Sequence, residues 1–127
     1  MRLIKLSIIT LIVSFYGCRT QNMLSSVDSE LWKEDSIGCL GKRQNIYYHI
    51  IQEENDFLKK SVQEIEKVFG FPNEKQVFEE GLMYYYYVEA GIQCAEWFNR
   101  KSDTADVEVL FIFFEKGQTT EVGGMKP

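Results

Sequence analysis

The chain has 127 residues, 45% hydrophobic and 14% aromatic, which bounds it to about one globular domain and argues against a disordered chain. Its formal charge is −5, and setting aside Arg2 and Lys5 near the start leaves 12 basic against 19 acidic residues, a balance of −7. That sign disfavours a nucleic-acid binder, which needs a basic stripe against phosphates, and equally a protein held on anionic lipid by charge alone.

In chain order, a basic opening (Met1-Arg2-Leu3-Ile4-Lys5) precedes an apolar run from Leu6 to Phe15 and then Tyr16-Gly17-Cys18. The run is short for a hydrocarbon core of about 30 Å and suits a cleavable signal peptide. The segment resembles a bacterial lipoprotein leader, in which a small residue precedes a cysteine that is lipidated and becomes the new N-terminus. Gly17 fits that pattern, whereas Phe15 and Tyr16 depart from its usual aliphatic and small residues. An ordinary secretory signal would want small residues at both cleavage positions, and an uncleaved anchor over Leu3 to Tyr16 would be short. The resemblance implies a signal peptide over residues 1–17, acylation (palmitate included) at Cys18, and membrane attachment through that lipid. Arg19 after the cysteine, by the same resemblance, implies the outer membrane, facing the periplasm. Residues 18–30 are polar and aperiodic and read as a flexible tether.

Trp32 opens the ordered part, a single domain expected over residues 31–122, and Gly38 to Gly41 reads as a turn. Between Arg43 and Glu54, Ile46, Tyr47, Ile50 and Ile51 fall at helical spacing. A second helix has stronger boundary signals: Ser61 and Glu64 form a capping box, Val62, Ile65, Val68 and Phe69 a stripe, and Gly70 and Pro72 a stop. The period then changes. Strands are expected at Gln76 to Glu79, Leu82 to Glu89, Val107 to Glu115 and Thr119 to Val122, followed by a frayed tail over residues 123–127. Helices first and strands afterwards predict an α+β fold, two N-terminal helices packed on one face of a three- to four-stranded antiparallel sheet.

With Cys18 assigned to lipid, Cys39 and Cys94 remain as an even pair in an oxidising compartment and are expected to bond. The bond would close a loop of about 56 residues and contribute roughly 4 kcal/mol on the loop-entropy model. A reactive thiol would want a nearby base or a Cys-x-x-Cys spacing, and neither is visible.

Two features then carry a family resemblance: the helix ending Phe69-Gly70-Phe71-Pro72 before an antiparallel meander, and the run Trp32-x-x-Asp35-x-x-Gly38-Cys39-x-Gly41-x-Arg43. Behind a lipidated cysteine, the arrangement over Trp32 to Val122 resembles the SmpA/OmlA (BamE-like) outer-membrane lipoproteins, whose fold is shared with β-lactamase-inhibitor-like domains. The resemblance implies the fold and a role in outer-membrane assembly or integrity. The segment through which the assembly-complex member meets lipid and its partner is not recognisable in this sequence.

Chemistry is sparse. His49 is the sole histidine, without a His or Cys at ligand spacing, so neither metal nor cofactor is expected. Ser61, His49 and Asp56 could be assembled into a triad on paper, but the capping box already explains Ser61 and no nucleophile elbow surrounds it. The glycines have no phosphate-cradling spacing, and no enzyme is expected. The strands say more. Glu89 and Glu108 are taken as marks of the outer sheet face, which places Tyr85, Tyr87, Leu110, Ile112 and Phe114 there as candidate partner-binding residues. Either Leu31-Trp32 and the segment Ile92 to Phe98 fold over that face, or an apolar patch stays open. The expected function is a non-catalytic, lipid-anchored envelope protein that docks on another envelope protein. The alternative is an inhibitor or immunity-type lipoprotein blocking an envelope enzyme or toxin. Replacing Cys18 by Ala should abolish incorporation of labelled fatty acid, and persistent labelling would sink the lipoprotein reading.

Overall fold

The computed structural model describes residues 23–99, 101–103 and 105–126. The leader and Cys18 therefore lie outside the described residues. Among those described, four α-helices precede a four-stranded antiparallel sheet, the α+β class and strand pairing expected from the sequence.

The first two helices, α1 (Met23–Ser26) and α2 (Ser29–Glu34), begin inside the stretch expected to be a tether. Asp28 caps α2, its side chain accepting from the Leu31 amide, and the Ser29 hydroxyl donates to the carbonyl of Val68 at 2.6 Å. Leu24, Val27 and Trp32 are buried in the main core. These helices are too short to persist alone, and apolar burial holds them. Trp32 meets Phe69 and Tyr86 edge-on at 5.2 and 6.0 Å, so it fills the inner core and does not cover the outer sheet face.

Helix α3 (Arg43–Gln52) buries Arg43, Tyr47 and Ile50, an i, i+4, i+7 series along one face. Helix α4 (Val62–Phe69) starts at the expected capping box. Ser61 accepts from the Glu64 amide and the Glu64 carboxylate from the Ser61 amide, bonds that hold that carboxyl below its usual range. The helix ends at Gly70, whose φ of +75° favours glycine, and Pro72 follows.

The sheet is a meander, β1 (Glu74–Val77), β2 (Leu82–Tyr87), β3 (Val109–Glu115) and β4 (Gln118–Met125), with every neighbour antiparallel. The expected frayed tail is largely strand, since β4 continues to Met125. Its two glycines are there because aromatic side chains occupy the space of a Cβ: one at Gly123 would lie 2.8 Å from the Phe111 ring, one at Gly124 1.9 Å from the Tyr47 hydroxyl. The inner face of the sheet gives Tyr84, Tyr86, Leu110, Ile112, Phe114 and Val122 to the core that the helices complete.

Three inner tyrosines meet acceptors: Tyr47 donates to Glu108 at 2.7 Å, Tyr84 to Glu66 at 2.6 Å and Tyr86 to the Gly70 carbonyl at 3.0 Å. Burial first, then the carboxylate bonds, pushes Tyr84 up to about 12 and Tyr47 higher; burial also raises Tyr86. Because an unfolded tyrosine ionises near 10, these phenols contribute stability that is fully present below about pH 10 and lost as pH rises through about 12. In an alkaline titration, the phenolate absorbance of these three should appear together with loss of the circular dichroism of the fold. Complete phenolate absorbance in a still-folded chain would contradict this.

Candidate functional site

The two sheet faces differ in chemistry. Strand register pairs Tyr85 with Phe111 and Met83 with Phe113, so Met83, Tyr85, Phe111 and Phe113 share the outer face, all half-buried. Phe78, in the turn after β1, meets Phe113 edge-on at 6.2 Å. The Tyr85 hydroxyl reaches Gln76 Oε1 on β1 at 3.2 Å. An aromatic strip thus runs across the middle of the outer face, bordered by polar Gln76 on β1 and Glu121 on β4.

One end of this face is covered. Tyr87, only 2% exposed, joins Ala105, Val107 and Val109 in a second small core against which Phe98 packs, and its hydroxyl bonds to Glu74. The long connection after β2 therefore folds over part of the outer face, and the aromatic strip beyond it stays half-exposed. Cys39 and Cys94 are bonded, with Cα atoms 5.8 Å apart, as the cysteine count suggested. The bond staples the turn after α2 to the start of that connection, and Gln93 beside it donates to the carbonyls of Ile37 and Glu89.

The candidate residues divide. Tyr85 is on the outer face and partly accessible. Tyr87 is on that face but buried beneath the connection. Leu110, Ile112 and Phe114 are a correction: they point into the main core, and Phe111 and Phe113 occupy the outer positions instead. The error comes from Glu108, which does not mark solvent. Its carboxylate lies at the core rim and accepts from Tyr47, while its amide donates to Glu89 at 3.0 Å. That backbone bond, followed by Lys126 at 3.3 Å, holds Glu89 below the ordinary carboxylate range. Glu115 at the other end of the strand is exposed, shares the parity of Phe111 and Phe113, and is the signal that marks the solvent face.

Behind β2 lies a polar knot built from most of the Trp32-to-Arg43 run. Arg43 is 2% exposed, stacked 4.5 Å from the Trp32 ring centroid. Its Nε donates to the Trp32 carbonyl (3.0 Å), and its Nη1 to Asn73 Oδ1 (3.0 Å) and the Tyr87 carbonyl (2.9 Å). Buried Asp35 closes the intervening turn, accepting from the amides of Leu40 and Lys42. Gly38, at φ +72°, lies so close to Tyr87 that a Cβ would come within 2.8 Å of its carbonyl oxygen.

His49 is exposed on α3, and Ser61 is committed to its cap. Among the described residues no group of three or more His, Cys, Asp or Glu side chains could hold a metal ion. No described helix is long and apolar enough to cross a membrane. No family model, curated protein or solved structure matches the chain.

The face assignment has a direct thermodynamic consequence. Ile112→Ala and Phe114→Ala should each destabilise by about 3 kcal/mol in denaturant unfolding, as core truncations do. Phe111→Thr and Phe113→Thr, at half-exposed strand positions, should cost about 1 kcal/mol or less. The reverse ranking would restore the other face as the outer one.

Proposed function

We propose that this protein is a non-catalytic, lipid-anchored envelope module that docks on another protein through the outer sheet face. The observation that carries the reading is the half-exposed strip of Met83, Tyr85, Phe111 and Phe113, bordered by polar side chains. Aromatic side chains with a polar tip combine large contact area with low ordering cost, the composition of interface cores. Attachment through acylated Cys18, a position on the periplasmic side of the outer membrane, and a role in assembly or integrity come from the resemblance to the SmpA/OmlA (BamE-like) lipoproteins. The helical layer is part of the same reading: α3 and α4 cover the inner face, leaving the outer face for a partner.

A second reading is favoured by a separate feature. Trp97 is 70% exposed on the connection that the disulfide staples. A braced loop presenting a large aromatic suits an inhibitor or immunity-type lipoprotein that plugs an enzyme or toxin cleft.

Photocrosslinking amino acids placed at Tyr85, Phe111 and Trp97, one at a time in the living envelope, test both readings. A discrete adduct from Tyr85 and Phe111 to a resident envelope component is the expected result. An adduct to a hydrolase or toxin, formed from Trp97, would favour the inhibitor. Silence at Tyr85 and Phe111 would remove the docking face.

A further inference from the structure

The knot around Arg43 leaves one chemical capacity unused. The three bonds made by Nε and Nη1 account for all its acceptors, and Nη2 meets none among the described residues. No carboxylate among the described residues lies within ion-pair distance of it. Burial lowers Arg43 to about 10 while Asp35 works the other way, so the guanidinium is charged at neutral pH. The nearest acids in sequence are engaged elsewhere: both Asp35 oxygens accept backbone amides, and Glu34 pairs with Lys42.

Arg43 also lines a cavity of about 320 Å³, together with Lys33, Ser36, Gly70, Phe71 and Asn73. Lys33 and Ser36 are exposed and Arg43 is buried, so Arg43 forms the floor of this cavity and Lys33 and Ser36 its rim. Lys33 is held there, donating to the Lys67 carbonyl at 2.7 Å, and Asn73 is fixed by its bond to the Ser36 carbonyl. Two cations and no acid line this cavity in a chain of net charge −5. The charged side chains lining the cavity are thus opposite in sign to the molecule's net charge. Phe71, 83% exposed at the rim, offers an apolar surface to whatever carries the charge.

We propose that this cavity binds a small oxyanion, a carboxylate or phosphate group, between Arg43 Nη2 at the floor and Lys33 Nζ and Ser36 Oγ at the rim. The free Nη2 amino group can donate a charge-assisted hydrogen bond to such a group, and the bonds made by Nε and Nη1 hold it in place before the ligand arrives. The site lies apart from the outer sheet face and does not rest on the docking reading.

The test is nuclear magnetic resonance titration of the isotope-labelled chain with sodium acetate and, separately, inorganic phosphate, chloride keeping ionic strength constant. Saturable shifts are expected at the Arg43 side-chain N–H and at the amides of Ser36, Phe71 and Asn73. Saturation with acetate alone points to a carboxylate source, with phosphate alone to a phosphorylated one, and either supports the site. Arg43 itself holds the fold together, so the variants are Lys33→Gln and Ser36→Ala at the rim. Lys33→Gln should weaken binding about two- to fivefold, the scale of an exposed charge contact. Non-saturating shifts with both anions, or binding undiminished in both variants, would overturn the proposal.

Discussion

A buried guanidinium organises this fold. Arg43 is the first residue of α3, yet its bonds reach the last turn of α2, the segment leading into β1 and the final residue of β2. Removing a cation from water costs several kcal/mol, and well-placed acceptors offset much of that. Here two backbone carbonyls, an amide oxygen and the face of Trp32 supply them. A lysine could not make the same set, because its donors are not a planar fork. Trp32 is in turn the ring on which Phe69 and Tyr86 pack edge-on, so the polar knot and the apolar core share one side chain. Helix layer and sheet are locked in one register through it.

The knot explains why the run from Trp32 to Arg43 has the spacing it does. Trp32 provides the carbonyl and the ring, Asp35 two acceptors that close the turn, Gly38 a left-handed conformation and room for the Tyr87 carbonyl, Cys39 the staple, and Arg43 the centre. In the sequence this run is recognisable as a pattern, and only the structure shows that its residues serve one purpose. Local signals were easier. Helix α4 is legible because Ser61, Glu64, Gly70 and Pro72 act within a few residues of one another. The disulfide is legible because two cysteines remain once Cys18 is given to lipid.

What stayed illegible depended on tertiary contacts. Leu24 on α1, Trp32 on α2 and Val27 between them are the buried anchors among the described side chains, too few in sequence to outweigh a polar composition that reads as a tether. Gly123 and Gly124 read as a fraying tail because the aromatic groups above them, Phe111 and the Tyr47 hydroxyl, belong to other elements. The outer-face residues were half found. On β2 the alternation was right, and Tyr85 is where it was expected. On β3 a single acid, Glu108, inverted the assignment of Leu110, Ile112 and Phe114, because a carboxylate can end a strand against a tyrosine hydroxyl instead of water.

Tyr87 connects the two sides of the molecule. Its carbonyl accepts from Arg43 and its amide donates to Asn73, while its ring lies on the opposite, outer face beneath Phe98 and Ala105. The connection that covers this ring is held at its start by the Cys39–Cys94 bond and by Gln93, both anchored to the turn that Asp35 closes. The boundary between covered and uncovered outer face is therefore set from behind the sheet. The same buried cation that fixes helix against strand also fixes β2's last residue, over which the stapled loop settles. Beyond that residue no comparable anchor among the described residues draws chain over Tyr85, Phe111 and Phe113, and their rings stay half-exposed on the outer face.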